Sequence, residues 1–310
     1  MANFEVISVN VSEKKGTIKN PVDTVILTDI GIPNDAHSGS WHRQVSMLGE
    51  ESIRKFARKA EREILPGEFA ENITTKGMEL YKTAPLDRFV SDELELMVTQ
   101  IGKKCHGDNC AIFREVGNCV MPKEGIFVKV LKGGELSAGV KFEYRPKILR
   151  ISIITLSDRA SKGVYQDKSG PLVKQLVEEY LKSQHRHFEF KTEIIADNAG
   201  ELEHLVKQFV DEKFDIIITT GGTGIGKRDI TPDVIRPMLD KEITGIMELI
   251  RVKYGIKKPN ALISRAVAGT IDETLIYTLP GSAKAVKEYL EEILPTVEHS
   301  IYMMNGLDLH

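Results

Sequence analysis

The period of the apolar residues changes partway along the chain, and that change limits the fold more than any other feature of the sequence. From Ile148 onward, strand-length runs ("ILRISIITL", "FEFKTEIIA", "FDIIITT", "TLIYTL") alternate with helix-length stretches ("PLVKQLVEEYLKS", "AGELEHLVKQFVDEK", "TPDVIRPMLDKEITGIMELIRVKYG"). Strand-length and helix-length segments in alternation predict a mostly parallel sheet linked by crossover helices in a three-layer α/β domain. The runs are rich in Ile and Thr and apolar on both faces, as buried parallel strands must be. A final stretch, "AKAVKEYLEEILPTVEHSIYMM", predicts a closing helix bent at Pro295.

Before "YRPKI" the rhythm is different. Short pieces such as "FEVISVNV", "TVILTD", "ELELMVTQI" and "IFVKVL" are broken by Gly, Pro and Asn, with one helix over Glu50 to Arg62. This pattern predicts a β-rich unit, a barrel or a sandwich. The boundary is placed near Pro146, giving domains 1–145 and 146–310, with no internal repeat and no low-complexity tract.

Each strand of the second half ends in a polar cluster: Ser157-Asp158-Arg159, Asp197-Asn198, Gly221 to Asp229, and Pro280-Gly281-Ser282. In an open parallel sheet these tips share one edge, the edge at which such sheets bind ligands. The third cluster, "GGTGIGKRD", spaces its glycines and lysine as a P-loop does, but Arg228 stands where a P-loop has the Ser or Thr whose hydroxyl holds Mg²⁺. "GGTG" still suits the close approach of main-chain N–H groups to a phosphate. Thr231 followed by Pro232 reads as a cap and first turn, whose helix dipole would add to that attraction. With no hydroxyl for the metal, Asp229 and Asp197 are the candidate Mg²⁺ carboxylates. Each could instead be an ordinary residue, Asp229 at a helix entry and Asp197 in a turn. Lys227 and Arg228 are candidates to cancel phosphate charge, or are solvated surface.

Composition narrows the partners. Lys and Arg number 42 against 45 Asp and Glu, and 41% of residues are hydrophobic, which lacks the basic excess of a nucleic-acid binder. The start of the sequence lacks a signal pattern, and no apolar run reaches membrane length, so a cytoplasmic location without membrane contact is expected. Three cysteines, Cys105, Cys110 and Cys119, are odd in number and crowded into one segment, which favours reduced thiols over a disulfide framework.

"SDRASKGVYQDKSG", "TTGGTGIGKRDITPD", "ISRAVAG" and "LPGS", in this order over Ile148 to His310, resemble the MogA/MoaB family of molybdenum cofactor biosynthesis, found also as the G domain of gephyrin. The resemblance implies a molybdopterin adenylyltransferase that converts Mg-ATP and molybdopterin to adenylylated molybdopterin and pyrophosphate. It places the catalytic and metal-binding aspartates on Asp229 and Asp197. It places pterin and phosphate contacts on Ser157, Asp158, Gly221, Gly222, Thr223, Gly224, Ser264, Gly281 and Ser282, and an acidic position facing the same crevice on Glu248. It also implies a homotrimer assembled through this domain, and a molybdenum insertion enzyme as a partner.

In the first half, "GIPNDAHSGSWHRQVSMLGEESI", "LPGEFAENITTKGMEL" and "CHGDNCAIFREVGNCVMPKEGIFVKVLKGGELSAG" resemble the small bacterial MOSC proteins over about Ile26 to Gly139. The resemblance implies a β-rich MOSC-type barrel that binds the finished molybdenum cofactor or carries its sulfur. Its functional cysteine, a tentative molybdenum ligand, maps to Cys105 with Cys110 as the alternative. His37, His42 and Arg43 fall in its motif, which usually begins Gly-Asp where this chain has Asn34-Asp35. A thiolate suits a soft metal or sulfur transfer. The alternatives are a zinc site of Cys105, His106, Cys110 and Cys119, a buried Cys119 acting as a small hydrophobe, and Trp41 as packing. For the whole chain, a non-catalytic carrier of molybdopterin and a sulfur-transfer enzyme stand beside the adenylyltransferase.

Overall fold

Among the described residues, ten strands lie in the unit that runs to Lys147, and the order in which they pair closes most of them into a barrel. The computed structural model describes residues 3–103 and 119–307. The strands are β1 (Asn3–Val11), β2 (Asn20–Val22), β3 (Thr24–Leu27), β4 (Val45–Gly49), β5 (Ile73–Lys76), β6 (Arg88–Val90), β7 (Glu95–Ile101), β8 (Ile126–Lys132), β9 (Gly134–Ser137) and β10 (Lys141–Arg145). The pairing order β10-β6-β7-β8-β4-β5-β1 returns to β10, so seven strands form a ring; β2 extends it beyond β1, and β3 pairs with β9. Closure leaves the ring without an edge, which decides between the barrel and the sandwich left open by the sequence. Inward-facing residues fill it, with Phe4 edge-on to Phe89 at 4.8 Å and stacked on Phe142 at 5.5 Å. The predicted helix is α1 (Glu50–Ala60); it stops at Glu61, whose left-handed φ of 51° ends the helical path. A single turn, α2 (Met121–Glu124), precedes β8.

The second unit, Ile148–Gly306, carries a six-stranded sheet. Its strands are β11 (Ile148–Leu156), β12 (His187–Ile195), β13 (Ile216–Thr220), β14 (Lys241–Glu242), β15 (Ala268–Ile271) and β16 (Thr274–Leu279), in the order β12-β11-β13-β16-β15-β14. The four runs read from the sequence are the four parallel strands, and β15 and β14 add an antiparallel end. The helices are α3 (Asp158–Ser161), α4 (Ser169–Ser183), α5 (Ala199–Asp211), α6 (Thr231–Ile235), α7 (Thr244–Gly255) and α8 (Ala283–Met304). Leu202, Val206, Phe209 and Val210 of α5 pack on Ile154, Leu156, Ile217 and Ile276 at one face of the sheet. α4 and α8 pack on each other and on the sheet, and α8 runs unbroken through Pro295. Among the described residues no helix is long and apolar enough to cross a membrane.

Three expectations need correction. β12 is not apolar on both faces; as an end strand of this sheet its residues are exposed or half-buried up to Ile194, with Glu189 in water and Lys191 reaching over the Phe209 ring at 4.8 Å. The stretch Thr231 to Gly255 is not one helix. Pro237 has no N–H to extend α6, a 3₁₀ turn follows, and Lys241–Glu242 then pairs with β15 before α7 begins. Thr231 is not a helix cap either: it lies inside the first turn of α6, and its hydroxyl donates to the Gly221 carbonyl at 2.8 Å. With only five residues, α6 supplies little of the expected dipole.

Candidate functional site

The carboxyl ends of β11, β12, β13 and β16 bring the predicted loops to one rim. At its centre β13 passes into the glycine loop through two residues of positive φ, Gly221 (109°) and Gly222 (65°). A Cβ on Gly221 would stand 2.3 Å from the Leu156 carbonyl oxygen, and one on Gly222 would stand 2.6 Å from Thr231 Oγ1, so no side chain fits at either position. The Gly221 N–H donates to Leu279 O (2.9 Å), which ties the loop to the end of β16, while Thr231 N–H donates to Gly222 O (3.0 Å). Among the described residues no acceptor meets the N–H groups of Gly222, Thr223 and Gly224. Three consecutive donors without a protein acceptor are what a main-chain anion site requires.

These residues wall a cavity of about 460 Å³ together with Tyr254, Lys258, Ser264, Gly281, Ser282 and Tyr289. Tyr289 donates to Ser264 Oγ at 2.8 Å. Ser282 caps α8, its hydroxyl accepting from Ala285 N–H at 3.3 Å, and Ser157 caps α3 by accepting from Ala160 N–H at 3.2 Å. Asp229 also lines the cavity; its carboxylate turns back to accept from Gly226 N–H at 2.7 Å, fixing the far end of the loop. Glu248 lies exposed on α7 and outside the cavity wall, because the helix turns Met247 and Ile250 inward and Glu248 away.

Beside the loop is a carboxylate pair. Asp197 N–H donates to Asp158 Oδ1 at 3.3 Å, and the two side chains keep only 16% and 21% of their surface. Burial, and then the negative charge of Asp158, push the Asp197 carboxyl above its ordinary value. Arg228 reaches over from the glycine loop, its guanidinium on Asp158 Oδ2 and its Nε 4.0 Å from Asp197 Oδ2. The predicted aspartates therefore take separate places: Asp197 pairs with Asp158, and Asp229 braces the glycine loop. Among the described residues no three His, Cys, Asp or Glu side chains gather as a metal cluster.

Sequence reading missed Arg265, although it lies inside the quoted "ISRAVAG". Its guanidinium donates to Gly224 O (2.7 Å), Asp229 O (2.5 Å) and Asp233 Oδ1 (2.6 Å), and its own N–H to Thr223 O (2.9 Å). A planar fork with several donors can hold three acceptors at once, so Arg265 sets the shape of the loop. The signal was an arginine directly after Ser264, a position already assigned to the site.

In the barrel, the motif residues gather around Asp35. Lys19 Nζ meets Asp35 Oδ2 at 2.5 Å, while Ser12 N–H (3.1 Å) and His37 N–H (2.9 Å) also donate to the carboxylate. Burial alone would raise Asp35, but its bonds from His37 and Lys19 outweigh burial and hold it well below the usual carboxylate range; burial lowers Lys19. Asn34 adopts φ 66°, so the turn survives the replacement of the family's glycine. Trp41 packs against Arg43, whose guanidinium lies 4.9 Å from its ring centre and 5.7 Å from that of Phe127. Arg43 Nε is buried without a hydrogen-bond partner among the described residues, and His42 Nε2 lies 3.1 Å from Gln100 Oε1. Cys105 and Cys110, with His106 of the zinc alternative, lie outside the described residues. Cys119 is half-buried rather than buried, in the wall of a cavity of about 500 Å³ with Lys55, Lys59 and Lys123.

The second unit is thus an α/β domain with a glycine loop of unpartnered amides on a sheet rim and carboxylates beside it, at the edge where such sheets bind ligands. Residues 152–299 match the family model described as "Probable molybdopterin binding domain", and residues 34–143 match that of the MOSC domain. The molybdopterin adenylyltransferase of Helicobacter pylori is 37% identical over 159 residues, which cover 51% of this chain and 89% of that protein. The molybdenum cofactor biosynthesis protein B of Staphylococcus aureus is 37% identical over 160 residues, 50% of this chain and 92% of its own. Dictyostelium discoideum gephyrin is 36% identical over 162 residues, which make up only 22% of that longer protein. A crystal structure of the molybdopterin biosynthesis enzyme MoaB from Thermus thermophilus is 36% identical with a TM-score of 0.46, over 51% of this chain and 98% of its own. Through its second unit the chain belongs to the MogA/MoaB family of molybdenum cofactor biosynthesis, and its first unit is a MOSC domain.

Proposed function

We propose that this chain is a cytoplasmic molybdopterin adenylyltransferase in which a MOSC domain binds the later cofactor or hands it, or its sulfur, onward. The observation that carries the catalytic half is the glycine loop, whose three free N–H groups open into a cavity bounded by Asp229 and neighbouring the Asp158–Asp197 pair. In the reaction, an oxygen of the pterin's terminal phosphate forms a bond to the α-phosphorus of ATP, and the bond from that phosphorus to the bridging oxygen of pyrophosphate breaks. Two anions must approach each other, so the site has to cancel charge. The amides of Gly222, Thr223 and Gly224 hold phosphate oxygens, Ser264 and Ser282 fix the ligand from the opposite wall, and Arg228 adds positive charge.

The donor set fits Mg²⁺. A hard divalent cation takes one or two carboxylates plus phosphate oxygens and water, and the half-buried Asp158–Asp197 pair is neutralised here by a guanidinium standing where a cation would be favoured. Asp197 would hold the ion together with Asp158 or Asp229, and the ion would neutralise charge on the transferred phosphates.

The test is pyrophosphate release on mixing the protein with molybdopterin and Mg-ATP. Release should fall at least about a hundredfold in Asp229→Ala; an unchanged rate would remove Asp229 from the chemistry. The carrier alternative makes a different forecast, with tight pterin binding in titration calorimetry and no ATP turnover. For the barrel, Arg43 between Trp41 and Phe127, with its unpartnered Nε, supports binding of an anionic group near the MOSC motif. Joining the two domains raises the local concentration of product at its next site. Self-association through the second unit, as the proposed homotrimer needs, is consistent with the exposed apolar residues Leu249 and Val252 on α7 and Ile256 just past its end.

A further inference from the structure

Arg228 takes the place that, in a P-loop, belongs to the hydroxyl holding the metal. An arginine is a permanent cation with no lone pair to offer, so it cannot ligate Mg²⁺. Its guanidinium instead lies on the carboxylates themselves, in contact with Asp158 Oδ2 and 4.0 Å from Asp197 Oδ2. The burial of the partners is unequal. The acids are 21% and 16% exposed and set in the rim, one at the start of α3 and one at the end of β12, whereas the arginine side chain is 64% exposed.

The backbone beneath the arginine is pinned. Asp229, the next residue, is held by Gly226 N–H on its carboxylate and by Arg265 on its carbonyl. The mobile partner is therefore the Arg228 side chain, on a fixed stem, between a carboxylate pair and a glycine loop whose amides await an anion.

We propose that Arg228 is the resident counter-cation of the Asp158–Asp197 pair in the free protein, and that it yields this place to a divalent cation when an incoming phosphate takes its guanidinium, so that metal and nucleotide load together. The inference rests on the reading of this rim as a metal and nucleotide site. Exchange is easy for the arginine because its side chain is 64% exposed, and a cation in contact with water changes partners at small cost. Two positive charges cannot share the acids, so the arginine weakens metal binding until a phosphate draws it away. The same side chain then serves the phosphate, which makes it a positioning residue whose removal should act in opposite directions on the two ligands.

The experiment measures Mn²⁺ binding by electron paramagnetic resonance in the full chain as wild type, Arg228→Gln and Arg228→Gln/Asp197→Asn, without nucleotide and with an α,β-methylene ATP analogue. Without nucleotide, Arg228→Gln should bind Mn²⁺ roughly three- to tenfold more tightly than wild type. The double variant should lose that gain. With the analogue, the wild type should recover its affinity for Mn²⁺, and Arg228→Gln should bind the analogue more weakly. Equal or weaker Mn²⁺ binding by nucleotide-free Arg228→Gln overturns the proposal, because an arginine that merely shaped the loop would weaken the metal on removal. Failure of every form to bind Mn²⁺, even with the analogue, overturns the metal reading beneath it as well.

Discussion

In the barrel, Lys19 and Asp35 meet with side chains 0% and 1% exposed, and Glu71, also fully buried, accepts from Gly67 N–H and Thr74 Oγ1. On the rim of the parallel sheet, Arg228 is 64% exposed and shares itself between two acids. A buried charge must be satisfied by fixed protein groups, because water cannot reach it when the partner moves. A rim charge can change partners at small cost. The comparison separates charges that hold a fold together from charges that are available to a ligand, and it can be broken by substitutions that probe one kind at a time.

The largest effect is expected in the barrel. Lys19→Met leaves the Asp35 carboxylate buried against only His37, Ser12 and the main chain, and breaking a buried pair from one side costs about 3–5 kcal/mol. Trp41, the only tryptophan in the chain, lies in this unit, so urea denaturation followed by its fluorescence should show the loss. Asp35 is held below its ordinary value, so its contribution is present above the unfolded pKa near 4 and is lost as pH falls through the lower folded value. The deficit of Lys19→Met should therefore shrink in strong acid. A loss under about 1 kcal/mol at neutral pH would mean that this pair behaves like a surface pair.

On the rim the expected pattern is reversed. Asp197→Asn should lower pyrophosphate release by about a hundredfold or more without lowering the melting temperature at pH 7. Its carboxyl is raised by burial and by Asp158, so the fold favours the protonated form. The favourable contribution is complete below the unfolded pKa near 4 and is lost as pH rises through the folded value. At neutral pH the charged Asp197 is a cost, which a neutral Asn removes. Melts from pH 4 to pH 8 should give a variant equal to or more stable than wild type at the upper end, with the two converging at the lower end. A fall in melting temperature at pH 7 would class Asp197 with the structural charges.

The same contrast explains what could be read from the sequence. The parallel strands were legible because apolar runs and helical spacing are local signals, and the rim followed because those strands end in polar clusters at Asp158, Asp197, Gly221 and Gly281. The glycine loop announced itself through spacing. What stayed hidden depends on partners far apart in the chain. Lys19 carries no mark that sets it apart from a surface lysine until Asp35 closes over it, and Arg265 reaches Asp229 across 36 positions. Thr231 misled because a hydroxyl before Pro fits the pattern of a cap, yet the nearest acceptor in three dimensions is the Gly221 carbonyl. The break at Pro237 was visible as a proline, but the short β14 that follows exists only because β15 is there to pair with it.

The smallest expected effect concerns two residues of left-handed backbone, one in each unit. Gly221 on the rim has φ 109°, and any Cβ there would run into Leu156 O, so neighbouring atoms dictate the residue. Asn34 in the barrel has φ 66° on an exposed turn, with Pro33 before it and Asp35 N–H donating to Ile32 O at 3.1 Å, the arrangement of a type II turn. That turn asks only for positive φ at its third residue, and Asn meets the requirement at modest cost. Asn34→Gly relieves the Cβ but gives the unfolded chain more freedom, and the two terms oppose each other. The net change in stability, followed by Trp41 fluorescence in urea, should stay within about 0.5 kcal/mol, leaving the ion pair beneath it intact. A loss above about 1.5 kcal/mol would mean that the Asn34 side chain supports Asp35 beyond setting the turn, and that the departure from the family's glycine was itself a structural adjustment to the buried lysine.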